Sequence, residues 1–165
     1  MTDGNTNRII IRPATAQDLA PLVQLRRAMF EAMGFNDPQR LDAVDLACRD
    51  YFTRALAAGT YQGWLAVTIS GEVVASGGVV VDRHPPGPEL PDGRLAYIMN
   101  MYTVPAHRRQ GLARSIFAHI MTWVRQEGIA LASLHATAPG RPLYAEFGFE
   151  QSNEMLAHLP NPHFT

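Results

Sequence analysis

The spacing of apolar and polar positions changes several times along the chain. Arg8 to Pro13 is a short β-branched run stopped by proline, which predicts a strand. Thr15 and Asp18 follow as a helix-start pair, and Leu19, Leu22, Val23, Phe30 and Met33 keep to one helical face until Gly34. A second stripe, Leu41, Val44, Cys48, Phe52 and Ala55, predicts another helix closed by Gly59. Tyr61–Ser70 and Glu72–Asp82 are apolar runs on either side of Gly71 and predict a hairpin. Four prolines and two glycines between Arg83 and Gly93 predict a loop, and Leu95–Val104 predicts a long strand broken by Pro105. Leu112, Ile116, Phe117, Ile120, Met121 and Val124 form the most regular helical stripe, over Arg109–Glu127. Ile129–Ala136 predicts a buried strand, Arg141–Phe147 a short helix and Phe149–Leu159 a last strand. The order β-α-α-β-β-β-α-β-α-β is of the α/β class, a mixed, mostly antiparallel sheet flanked by helices.

A length of 165 residues predicts one domain, residues 1–165. The net charge of −1 argues against nucleic-acid or membrane-surface binding by bulk charge. All 14 Lys+Arg residues are arginine, which excludes Schiff-base lysine chemistry and a Walker-type phosphate loop. The polar start around Asp3 lacks the apolar core of a secretory signal, and Val73–Val81 falls far short of the ~18 apolar residues of a membrane span. These features predict a cytoplasmic protein. Cys48 cannot form an internal disulfide alone and sits in a core-type stripe, which makes it a weak acyl-carrying nucleophile. His84, His107, His119, His158 and His163 show no paired spacing, so no metal is expected.

Chemistry concentrates in Val104-Pro-Ala-His-Arg-Arg-Gln-Gly-Leu-Ala-Arg114. A strand passes through a proline turn into a long helix whose start carries Arg108, Arg109 and Arg114 rather than acids. A helix N-terminus already has unpartnered N–H groups and a partial positive charge, so added arginines worsen its electrostatics unless an anion binds. Gly111 removes a side chain that would hinder close approach. A phosphate or pyrophosphate is the ligand inferred; the competing reading is a solvated helix start.

Arg108-Arg-Gln-Gly-Leu-Ala113 resembles the Arg/Gln-x-x-Gly-x-Gly/Ala signature of the GNAT superfamily, the acetyl-CoA-dependent N-acetyltransferases. Leu143-Tyr-Ala-Glu-Phe-Gly-Phe149 resembles that family's Leu/Phe-Tyr-x-x-x-Gly-Phe segment. The resemblance covers Tyr97–Glu150 well and the earlier part in element order. It implies that backbone groups of Met101, Tyr102 and Thr103 pair with the pantetheine arm of acetyl-CoA. It also implies that Arg109, Gln110, Gly111, Leu112, Ala113 and Arg114 cradle the pyrophosphate. The strands ending near Val104 and Ala136 are expected to splay around the coenzyme, and Tyr144 is expected to protonate the departing thiolate. A phenol suits that role chemically. The resemblance also implies a homodimer, through the unpaired edge of the final strand.

Two departures stand out. Thr137 replaces an asparagine that often binds the coenzyme arm in the family, and Tyr97 stands where some members carry a glutamate base. Asn100, an amide in an apolar strand, must find partners and is the second candidate catalytic residue. A water relay through Asn100 or Tyr97, or His135 itself, remains open as the base. The two early helices and the 84–93 loop are expected to wall the acceptor pocket. Glu31, Asp37, Asp42 and Asp45 have two readings, a solvated helix face or an attraction for a cationic amine, and Phe30, Phe35 and Trp64 equally suit an apolar acceptor. The expected reaction is direct acetyl transfer from acetyl-CoA to a small-molecule or peptide amine, with an oxyanion held by a strand amide near Met101 or Tyr102. The rival is an acyl-CoA sensor or docking module without turnover.

Overall fold

The computed structural model describes residues 8–160; His163 lies outside them. The chain divides after His135 into two compact units. The first contains a five-stranded sheet in the order β1 (Ile9–Pro13), β2 (Tyr61–Thr68), β3 (Val73–Arg83), β4 (Arg94–Thr103), β5 (Leu131–Leu134). The first four strands pair antiparallel and β5 runs parallel to β4. Helices α1 (Leu19–Ala32) and α2 (Pro38–Ala58) cover one face, and α3 (Leu112–Gln126) covers the other.

Local chemistry explains these boundaries. Thr15 and Asp18 form the predicted capping box, with Asp18 accepting from the Thr15 backbone N–H at 2.7 Å. Asp18 also accepts two hydrogen bonds from Arg12, both 2.8 Å, and this tie joins β1 to the entry of α1. Asp37 caps α2, and Gly59, left-handed at φ 67, ends it. Central strands are buried on both faces. Tyr61, Leu65 and Val67 pack with Leu22, Val23, Phe52 and Ala55, and the Phe52 and Tyr61 rings meet edge to face at 4.9 Å. Cys48 packs against this same cluster, as its stripe predicted.

Opposite, Trp64 meets Trp123 of α3 at 6.4 Å, so Trp64 lies on the α3 face and does not join Phe30 and Phe35 as an acceptor wall. Gly77 and Gly78 admit close packing on the two faces. A Cβ at Gly77 would lie 2.5 Å from Met101 Sδ, and one at Gly78 would lie 2.1 Å from the Tyr61 hydroxyl.

The second unit contains a 3-10 turn (Ala138–Gly140) and α4 (Arg141–Glu146). The predicted strand over Phe149–Leu159 does not form. Residues 150–160 are exposed and without regular structure, and Met155, Leu156 and Leu159 show no inward alternation to anchor a strand. The expected dimer edge along that strand therefore has no strand to form on. Among the described residues, no helix is long and apolar enough to cross a membrane.

Candidate active site

The site begins with a fault in the β3–β4 ladder. Ser76 faces Tyr102 and Gly78 faces Met99, which leaves Asn100 and Met101 opposite the single residue Gly77. Asn100 takes φ 60 in this bulge, an uncommon conformation for a residue with a side chain. A buried network holds it there. Its Nδ2 donates to the Tyr61 hydroxyl at 3.0 Å, its carbonyl accepts from Ser76 Oγ at 3.0 Å, and its Oδ1 accepts from Arg26 Nη1. Burial is the main cause that pushes the Tyr61 phenol up to about 12, so it remains protonated at neutral pH. The Asn100 amide is thus bonded to both Tyr61 and Arg26.

Past the bulge, β4 has an open edge. β5 pairs with Leu95–Ile98 only, so Met99–Thr103 have no strand beside them on that side among the described residues. The Val104 N–H donates to Val74 of β3 at 2.9 Å. By strand alternation, Met101 and Thr103 turn their backbone groups to the open edge and Tyr102 turns its own to β3. Of the predicted trio, Met101 and Thr103 thus have backbone groups on the open edge. Of these, the Thr103 carbonyl already accepts from Arg108 Nε at 3.0 Å. The same guanidinium lies 5.6 Å from the Tyr102 ring centroid, which makes Arg108 a brace for the turn.

After a 3-10 turn at Pro105–His107, Arg109 (φ 61) and Gly111 (φ 78) are both left-handed, with Gln110 between them. Helix α3 consequently opens at Leu112, three residues later than its periodicity predicts. Among the described residues, nothing accepts a hydrogen bond from the backbone N–H groups of Arg109, Gln110, Gly111, Leu112 or Ala113. The first turn of α3 carries no acid. Arg109 and Arg114 are exposed there, and no carboxylate pairs with the Arg109 side chain among the described residues. Left-handed residues next to ordinary ones gather successive N–H groups into an anion-binding concavity, and the helix dipole adds to it.

Tyr97 and His135, considered separately as bases, are joined. The Tyr97 hydroxyl and His135 Nδ1 are 2.6 Å apart, between β4 and the residue after β5. The second unit holds the other two predicted residues. Thr137 is exposed, and its carbonyl accepts from Gly140 N at 3.0 Å and Arg141 N at 3.2 Å. Tyr144 lies on α4 beside Phe149, and burial raises its phenol above the usual value. A Cβ at Gly140 would lie 3.1 Å from the Tyr144 ring, so glycine leaves that ring its room.

The acidic residues of the early helices have structural tasks. Glu31, Asp42 and Asp45 all pair with Arg27, and Asp37 is a cap. Among the described residues, no three of His, Cys, Asp or Glu gather as metal ligands would. A groove lined by Trp64 and the later turns of α3 lies apart from the 109–113 turn and takes no part in the site. Sequence reasoning missed Arg26, although a cation four residues after Leu22 and four before Phe30, on an otherwise apolar stripe, was its signal.

The acetyltransferase (GNAT) family matches residues 22–149. A GCN5-related N-acetyltransferase from Ralstonia eutropha JMP134 is 33% identical, with 92% of this chain and 99% of that one covered and a TM-score of 0.84. A predicted acetyltransferase from Clostridium acetobutylicum, solved with acetyl-CoA, is 26% identical, with 92% and 96% covered and a TM-score of 0.84. AAC(6')-Iy in complex with the bisubstrate analog CoA-S-monomethyl-acetylneamine, at 15% identity, is similar in fold, with 94% and 99% covered and a TM-score of 0.71. No curated protein matches. With more than half its length matched by the family, the chain belongs to the GNAT family of acetyltransferases.

Proposed function

We propose that this protein is a cytoplasmic N-acetyltransferase, working as one domain, that moves the acetyl group of acetyl-CoA to a primary amine. The observation that carries this reading is the turn before α3, whose five backbone N–H groups at 109–113 are unclaimed among the described residues. Arg109 and Arg114 add positive charge where a diphosphate would sit. The acetyl-CoA present in the 26% identical relative supports the same donor.

In the proposed ternary complex the pantetheine arm lies along the open β4 edge, donating to the Met101 carbonyl and accepting from the Thr103 N–H. Thr137 contributes a hydroxyl to the arm. The acceptor arrives as an ammonium and must lose a proton before it can attack. Tyr97 accepts that proton as its own passes to His135 Nδ1, and the imidazolium releases a proton to solvent; the 2.6 Å contact supports this relay. The amine nitrogen then attacks the thioester carbonyl, and the oxyanion gathers on the Met101 N–H. Collapse of the adduct breaks the carbon–sulfur bond, and the Tyr144 hydroxyl gives its proton to the leaving thiolate. Burial that raises the Tyr144 phenol keeps the proton in place until the thiolate forms.

The test is release of free thiol from acetyl-CoA with a panel of primary amines. Acetyl-CoA-dependent product with at least one amine is expected, and Tyr144→Phe is expected to lower kcat about 10²-fold or more with coenzyme binding kept. Full turnover in Tyr144→Phe removes it as the acid. Coenzyme binding without product for any amine favours a sensor.

A further inference from the structure

Four arginines are half-buried: Arg12, Arg26, Arg27 and Arg94. Three have carboxylate partners. Arg12 pairs with Asp18, Arg27 with Glu31, Asp42 and Asp45, and Arg94 with Asp92. Arg26 has none among the described residues. One N–H goes to Asn100 Oδ1, and the guanidinium carbon lies 4.7 Å from the Phe30 ring centroid. Its remaining N–H groups have no acceptor among the described residues. A cation taken partly out of water without a counter-charge is costly, and such groups recur where a ligand supplies the missing partner.

The position is specific. Arg26 extends from α1 to the residue at the bulge, and the next residue, Met101, offers its N–H on the open β4 edge. The acids nearby, Glu31, Asp42 and Asp45, all pair with Arg27, and none of them pairs with the Arg26 guanidinium. Beside it Phe30 meets Phe35 edge to face at 5.9 Å, and Phe35 is 57% exposed, which provides an apolar neighbour for a side chain.

We infer that Arg26 binds a carboxylate of the acetyl acceptor, so that the acceptor class is a small amine carrying a carboxylate and an apolar side chain, such as an apolar amino acid. This rests on the acetyl-transfer reading above. A guanidinium presents a planar fork of N–H donors that matches a carboxylate, and the bond to Asn100 fixes its plane. The carboxylate held there orients the amine toward the thioester, with the apolar group against Phe30.

Matched acceptor pairs test the inference: phenylalanine against phenylalaninamide, and leucine against leucinamide, with acetyl-CoA and thiol release as the readout. Each is measured on the native protein, Arg26→Gln and Arg26→Lys, with a thermal melt on every variant to establish folding. The native protein is expected to favour the acid over the amide at least tenfold in kcat/KM. Arg26→Gln, which also loosens the bulge, is expected to lower kcat/KM for both acceptors, but at least tenfold further for the acid than for the amide, and so to erase the preference; Arg26→Lys restores part of it. Equal turnover of acid and amide by the native protein overturns the inference and leaves acetyl transfer standing. So does an equal loss for both acceptors in Arg26→Gln. No thiol release with any amine, while coenzyme A binds, overturns both readings.

Discussion

Gly111→Ala separates the cost of backbone strain from the loss of a ligand. Gly111 has φ 78, and a Cβ built there meets nothing within 4 Å. The substitution therefore causes no clash within the protein, and its stability cost is the left-handed backbone alone, ~1–2 kcal/mol for an L-residue. At about 2–4 °C per kcal/mol for a chain of this size, the melting temperature falls by roughly 2–8 °C. Gly71 provides the control. It is also left-handed, at φ 88, its Cβ also meets nothing within 4 Å, and it sits in the β2–β3 turn. Gly71→Ala should show a similar fall in melting temperature. The two variants diverge in coenzyme binding. Strain present in both free and bound protein cancels from the dissociation constant, so Gly71→Ala should bind coenzyme A as the native protein does. At Gly111 the methyl group occupies the open space where a diphosphate approaches the 109–113 amides. A ten- to hundredfold weaker Kd, or about 1.4–2.8 kcal/mol, is expected by calorimetry. Equal Kd values for the two variants refute the reasoning.

Three further outcomes follow from the same geometry. Asp18 is held down from 3.8 to about 2, first by its hydrogen bonds to Arg12, and a folded value below the unfolded one stabilises at high pH. That gap is worth ~2 kcal/mol, fully present above about pH 4 and lost as pH falls through 2. Urea melts of Asp18→Asn should thus show a deficit of that size at pH 7 that fades on acidification; a deficit independent of pH contradicts it. Tyr61→Phe leaves Asn100 Nδ2 buried without its acceptor, at a cost of ~1–3 kcal/mol, and denaturant unfolding measures it. A loss within error of zero means the bulge is not held by this bond. Tyr97→Phe, which cuts the hydroxyl from His135, should lower kcat without weakening coenzyme binding, and unchanged kcat removes the relay.

Much of the fold was legible because local signals and burial agree. The Thr15–Asp18 cap, the Gly59 and Gly71 turns and the α3 stripe each combine a turn or cap residue with an apolar period, and all sit where expected. Phe149–Leu159 failed for lack of that agreement: its apolar residues offer no inward face, and composition alone does not make a strand. The 109–111 segment was read as the start of the α3 helix, yet Arg109 takes a left-handed φ that no residue type announces. The Asn100 bulge was illegible for a related reason. Its evidence is a register shift opposite Gly77 and long-range bonds to Arg26, Tyr61 and Ser76, which only the folded chain brings together. Spacing on the early helices showed an acidic face but not that Glu31, Asp42 and Asp45, from two helices, converge on Arg27.

The central claim is that the backbone from Arg109 to Ala113 holds the diphosphate of acyl-CoA. Amide 1H–15N shifts of these five residues, followed while coenzyme A is added and again with pantetheine, which lacks the diphosphate, address it directly. The account predicts large shifts at 109–113 with coenzyme A and none there with pantetheine. Saturation with coenzyme A that leaves these amides unmoved contradicts it.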